Sequence, residues 1–211
     1  MNIPEIEIQN LPPVVKETFL QWDTYMFKMV EFSMPGSEIH TFNHCERVLL
    51  FALIIGEKTC GEDKEALEIL AHAAVFHDTR RQDDYFDTGH GARAAVYYEQ
   101  FCNDNSGITF HPESVYLMRF HDLDDSKGVE AIRNRFGKDS ERVIKLYEIF
   151  KDSDALDRWR LGKRGLDPKF LRTSAAKNMT EYSRRIVKET VPAELLKKIE
   201  KEVERIIQQQ N

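Results

Sequence analysis

No apolar run in this chain approaches the length of a membrane span, so a transmembrane helix is excluded as a reading of the sequence. The opening "MNIPEIEIQN" lacks the basic and apolar regions of a secretory signal. Cysteine is scarce: Cys45, Cys60 and Cys102 are widely spaced and form no CxxC pair, which favours a reducing compartment. Basic residues are not in excess, with 30 Lys and Arg against 36 Asp and Glu and a formal net charge of −6. That balance argues against an extended nucleic-acid surface, although a local basic cluster can still attract a small phosphorylated substrate. Alternating strand patterns, internal repeats and low-complexity segments are missing too. The expectation is a cytoplasmic protein with no membrane partner.

What the chain has is helical periodicity. "VVKETFLQWDTYMFKMVEF" places Val15, Phe19, Trp22, Met26, Met29 and Val30 mostly at three- and four-residue steps before Pro35-Gly36. "TFNHCERVLLFALIIGEKTCG" and "DKEALEILAHAAVFHD" follow, with Gly61 as a terminator and Asp63 as a cap. Further helices are predicted through "GARAAVYYEQFC", "PESVYLMRFHDL", "SERVIKLYEIFKDSDALDRWR", "SAAKNMTEYSRRIVKE" and "AELLKKIEKEVERIIQQQ". The fold class is therefore all-α, a compact multi-helix bundle in one domain over 1–211. Its core is expected over about 14–160, with C-terminal helices over 174–210 packing on it, and the loop around "GKRGLDPKF" as a mobile insertion. The last helix carries Leu195, Leu196, Ile199, Val203, Ile206 and Ile207 on one stripe. Docking on the core is its plain use, and a homodimer the sharper one.

The histidines and a few aspartates gather near predicted helix ends. His44 lies four residues after His40, so both can share a face. His77-Asp78 ends one helix, His90 begins the next, His121-Asp122 ends another, and Asp154 lies in "KDSDALDR". Helix ends are where several helices can aim imidazoles and carboxylates at one point. A mixed nitrogen and oxygen set suits Mn, Fe, Co, Ni or Zn, with Mg also admissible, better than a closed thiolate-bound zinc.

The ordered pattern His44…His77-Asp78…Asp154 resembles the HD-domain superfamily of metal-dependent phosphohydrolases. "HTFNHCERVLLFA" is similar to that family's first-histidine helix, "AAVFHDTRR" to its name-giving dipeptide, and "KDSDALDR" to its last-ligand segment. "DTGHGARAA" and "YLMRFHDLD" resemble members with additional histidines. The likeness spans roughly His40 to Arg158. It implies an HD-domain-like bundle with His44, His77, Asp78 and Asp154 around one metal ion. It also implies that His90 and His121 help to bind a second ion bridged by Asp78, so one or two ions are expected. Thr79, Arg80 and Arg81 stand where some nucleotidase members carry a catalytic Glu, which sets this chain apart from that branch.

Each candidate has a plainer reading. His72, five residues before His77, reads as a core-edge histidine with a hydrogen-bond partner, and His111, before Pro112, as a loop or cap residue. His40 is a substrate-binding candidate or a surface histidine. Arg80 and Arg81 can hold a phosphate by paired hydrogen bonds or simply pair with Asp83, Asp84 or Asp87. Arg158, one helical turn after Asp154, is expected to face the same cavity. Of Asp152 and Asp157, one is expected to be exposed and the other to pair locally, and Asp122, Asp124 and Asp125 read as a solvated acidic turn. Lys163 and Arg164 form a local cationic cluster.

The function expected is a metal-dependent hydrolase of phosphate esters acting on a small or nucleotide-like substrate. Asp78, His90, His121, Arg80 and Arg81 are its catalytic candidates, and His40 and Arg158 join the two arginines in binding substrate. The alternatives are a diiron HD-type oxygenase and a non-catalytic nucleotide-sensing module.

Overall fold

Proline and glycine punctuate the helices where the sequence places them. A computed structural model describes residues 1–85 and 87–209 of the chain. Among these residues there is no strand, and the fold is all-α. In chain order the helices are α1 (Glu5–Gln9), α2 (Pro13–Met29), α3 (Phe42–Cys60), α4 (Lys64–Phe76), α5 (His90–Asp104) and α6 (Pro112–Arg119). They continue with α7 (Asp125–Phe136), α8 (Ser140–Leu156), α9 (Ser174–Lys177), α10 (Thr180–Thr190) and α11 (Ala193–Gln209). Pro13 and Pro112 occupy first-turn positions, where a missing N–H costs nothing. Asp63 caps α4 by accepting from the Ala66 N–H at 3.0 Å. Gly61 ends α3 with φ +68°, a left-handed value that a side chain would strain.

Helix α3 is the axis of the bundle. Its residues from His44 to Gly56 are buried on every face, as a helix wrapped by others requires. It packs against α2, α4 and α8, with α9 and α10 on a further side. Gly56 makes the α3–α4 approach close, since a Cβ there would lie 2.7 Å from Leu70 Cδ1. Leu49, Leu50, Phe51, Leu53, Leu67, Phe76 and Phe150 are fully buried around this axis. Each contributes about 1.5–3 kcal/mol relative to exposure. Rigid packing here is what fixes the N-terminal end of α3 opposite the C-terminal end of α4.

Four segments differ from the sequence reading. Helix α7 is unexpected and follows the acidic turn over 122–124, in which the Asp122 side chain is buried and accepts from the Gly89 N–H; α7 buries only Gly128 and Ile132, so it shows almost no apolar period. The predicted helix over 174–189 is broken into α9 and α10 at Asn178-Met179. The predicted helix over 140–160 changes after Leu156 to a 3₁₀ turn over Asp157–Leu161. The segment expected as a mobile insertion buries Leu166 and Leu171 and carries a short 3₁₀ turn, Pro168–Phe170.

Of the C-terminal helices, α10 buries Ser183, Ile186 and Val187, and the Trp159 indole donates to the Ser183 hydroxyl at 3.2 Å. Helix α11 lies beside the Asp157–Leu161 turn. The side chains of Val203, Ile206 and Ile207, on which half of the proposed terminal stripe rests, lie outside the described residues.

Candidate metal centre

The ends of α3, α4, α5, α6 and α8 converge on the carboxylate of Asp78. His44 lies in the first turn of α3, while His77 and Asp78 follow the last turn of α4. His90 opens α5 behind Gly89, whose φ of +93° turns the chain into the helix. His121 follows α6, and Asp154 sits in the last turn of α8. His40, His44, His77, Asp78, His90 and His121 are all buried, whereas Asp154 keeps 29 % of its side chain exposed and marks the open side.

Asp78 divides the cluster in two. Its Oδ2 lies 3.0 Å from His40 Nδ1 and 3.5 Å from His44 Nε2, while its Oδ1 lies 3.0 Å from His90 Nε2 and 3.9 Å from His121 Nε2. Asp154 Oδ1 closes the first half at 3.4 Å from His44 Nε2 and 4.0 Å from His77 Nε2. Burial on its own would raise the Asp78 pKa, but the surrounding imidazoles of His77, His40, His90 and His44 hold it well below the usual carboxylate range. Asp154 is held low in the same way by His44, His77 and His121. Both carboxylates are therefore ionised.

The imidazoles are oriented from behind. His77 Nδ1 donates to the Ala74 carbonyl at 2.9 Å, His121 Nδ1 to Met118 at 2.7 Å, and His90 Nδ1 to Asp87 at 2.7 Å. His44 differs, since its Nδ1 donates to a carboxylate, Asp157 Oδ2, at 2.7 Å. With the proton on Nδ1, a neutral ring presents a lone pair at Nε2. Burial lowers the His77 pKa to about 3, and burial with the neighbouring His90 charge lowers that of His121. Burial opposes the charge on His90 as well, but the hydrogen bond and charge of Asp78 win, and its pKa is raised.

This arrangement is fitted to a cation. His44 Nε2 and His77 Nε2 face each other at 3.1 Å. Two lone pairs at that distance repel unless positive charge lies between them. Two nitrogens bound at about 2.1 Å and at right angles to one ion lie about 3 Å apart. Among the described residues, three groups bring their ligand atoms within 4.8 Å of one another: His40, His44 and Asp78; His44, His77 and Asp154; and His77, Asp78 and His121. The buried His/Asp cluster is thus able to hold a metal ion, and its donors are the nitrogen and carboxylate oxygen types that suit a divalent transition metal.

The arginines separate into near and far. Arg81 Nη1 lies 3.6 Å from Asp78 Oδ1 and belongs to the cluster. Arg80, also expected near substrate, instead stacks its guanidinium 3.2 Å from the centre of the Tyr97 ring and donates to the Glu31 and Thr79 carbonyls. Arg158, expected to face the cavity, is exposed and donates to the Gly165 carbonyl at 2.8 Å. The reason is the change to 3₁₀ geometry: at three residues per turn, Asp157 and Arg160 share the inner face and Arg158 turns outward.

Behind the cluster stand Asp157, expected from sequence only to be exposed or to pair locally, and Arg47 and Arg160, which the sequence reading gave no role. Asp157 is fully buried, accepts from His44 and is gripped by Arg47 through Nε at 2.5 Å and Nη2 at 3.1 Å. Arg47 and Arg160, both buried, complete this layer, with Arg160 Nη1 3.3 Å from Asp157 Oδ2 and Nη2 3.4 Å from His40 Nδ1. The positive charge of Arg47, after the opposing effect of burial, holds Asp157 at a pKa of about 2. Asp152, expected to contrast with Asp157 in exposure, is also fully buried and accepts from the Arg172 and Thr173 backbone N–H groups at 3.0 and 2.7 Å. His72 is a core histidine bonded to the Tyr98 hydroxyl at 2.7 Å, and His111 precedes α6, its ring against that of His72.

No protein-family model, curated protein or solved structure matches this chain.

Proposed function

We propose that this chain is a metal-dependent phosphohydrolase of the HD-domain type, acting on a small phosphorylated substrate. The observation that carries the reading is the convergence of four imidazoles, His40 through Nδ1 and His44, His90 and His121 through Nε2, on the two oxygens of one buried aspartate. His44, His77, Asp78 and Asp154 would hold the ion. A divalent ion there supplies Lewis acidity towards a phosphoryl oxygen and a nearby water.

The remaining side chains supply charge and position. Arg81 is the guanidinium beside Asp78 Oδ1, suited to neutralise phosphoryl oxygens as negative charge builds on them. His90, with Nε2 at 3.0 Å from Asp78 Oδ1, is the candidate to protonate the leaving oxygen. His40 holds the other face of Asp78. The partly exposed edge at Asp154 is where substrate would enter.

Turnover of a panel of phosphomonoesters and phosphodiesters with Mn(II), Co(II) or Ni(II) tests the reading. The wild type should hydrolyse at least one class, and Asp78→Ala should lose both turnover and tight metal binding. Retention of both in that variant would sink the assignment. Bound iron with oxygen consumption, and no phosphoester turnover, would select the diiron oxygenase instead.

A further inference from the structure

The two halves of the centre are not equally open to cations. On the His44 side, carboxylate oxygens come from both Asp78 and Asp154, and a third carboxylate, Asp157, stands behind His44. On the His90 side the atoms that converge are His90 Nε2, His121 Nε2 and the single oxygen Asp78 Oδ1. Asp122 lies near His90 as well, but it faces the other ring nitrogen, at 3.6 Å from Nδ1, and accepts from the Gly89 N–H.

A cation of the protein already stands at that second half. Arg81 Nη1 lies 3.3 Å from His90 Nε2 and 3.6 Å from Asp78 Oδ1, two of these three atoms. The guanidinium is anchored there, because Nε donates to the Asp83 carbonyl at 3.2 Å and Nη2 to the Tyr85 carbonyl at 2.8 Å. Arg81 is 6 % exposed, so its charge stands in a buried setting. A guanidinium cannot lose its charge at working pH. A divalent ion on the His90 side would therefore meet a fixed positive charge in a buried setting, with one carboxylate oxygen to offset it.

We propose that the Arg81 guanidinium serves as the second cation of this centre, so that the chain holds one divalent ion, on the His44 side, and excludes another from the His90 side. This rests on the metal-centre reading above. It makes Arg81 the determinant of a mononuclear site built on a ligand set large enough for two ions.

Mn(II) titration of the full chain by calorimetry, with electron paramagnetic resonance of the loaded protein, tests this. The wild type should bind one ion with an uncoupled spectrum. Arg81→Met should bind a second ion and show the signature of a spin-coupled pair, and so should Arg81→Gln, which keeps an amide donor for the Tyr85 carbonyl. Arg81→Lys, which keeps the charge, should stay at one ion, and Arg81→Met with His121→Ala should return to one. Two ions of similar affinity in the wild type would overturn the role of Arg81 and leave the metal centre standing. So would a single ion in folded Arg81→Met and Arg81→Gln. No ion in any variant or in the wild type would remove the metal centre itself.

Discussion

His44 donates its Nδ1 proton to Asp157 across 2.7 Å, with both side chains buried. The other three imidazoles that point Nε2 at the centre donate to main-chain carbonyls. A carboxylate behind a ligating imidazole fixes its tautomer and raises its basicity, and losing such a partner weakens metal binding roughly 10–100-fold. Asp157→Asn is therefore expected to weaken Mn(II) binding by that factor, read by competition with a chelator of known affinity. Unchanged affinity in a folded variant would mean that Asp157 only ties Arg47 into the core.

Gly91 sits where α5 meets the end of α6. A Cβ there would fall 2.3 Å from the Met118 carbonyl oxygen, 2.8 Å from His121 Nδ1 and 3.0 Å from Asp122 Oδ1. The Met118 carbonyl is the group that orients His121, so the methyl has to displace backbone and ligand together. Gly91→Ala should destabilise the fold by about 1–3 kcal/mol, roughly 2–12 °C in Tm. Thermal unfolding reads this directly, and a Tm within a degree of wild type would contradict the close approach.

Removal of metal should cost stability, because the facing nitrogens of His44 and His77 lose the cation between them. An ion held at a hundred times its Kd stabilises by about 2.7 kcal/mol, equivalent to roughly 5–11 °C in a domain of this size. A strong chelator should lower Tm by that order, and Mn(II) in excess should restore it. The Asp78→Ala protein should show no such difference.

Away from the centre, Asp125 ties α7 to α8 and to the chain before α9. Its carboxylate accepts from Arg172 Nε and Nη2, each at 2.7 Å, and lies 2.7 Å from Lys151 Nζ. Burial works against ionisation, but these cations lower its pKa to about 2 from an ordinary 3.8. A carboxyl group with a depressed folded-state pKa contributes stability that is present above the unfolded pKa. That contribution is lost as pH falls through the folded one. The stability advantage of wild type over Asp125→Asn should hold above pH 4 and shrink steadily towards pH 2. Equal stability of the two proteins at pH 6 would show that the cluster is solvent-screened into irrelevance.

The all-α character was legible because the core helices repeat apolar residues at helical steps, as Leu67, Leu70, Ala71 and Ala74 do in α4. The cluster was legible for a different reason: His44, His77-Asp78, His90, His121 and Asp154 all stand near helix ends, and the structure brings these ends together. Asp157 and Arg160 were not legible, because helical phase carried past Leu156 selects Arg158. Nothing in "DALDRWR" announces the change to three residues per turn. Arg47 was hidden by its place in an apolar run, where a charge reads as a boundary and not as a buried clamp on Asp157. Helix α7 escaped because a helix that buries one isoleucine leaves no period to read.

The measurement that bears most directly on this account is the metal content of gently purified protein, determined by elemental analysis beside an Asp78→Ala control. One divalent transition-metal ion per wild-type chain is expected, and close to none in the variant. A wild type that takes up no ion when Mn, Co, Ni or Fe is restored, or a variant that keeps its ion, would contradict it.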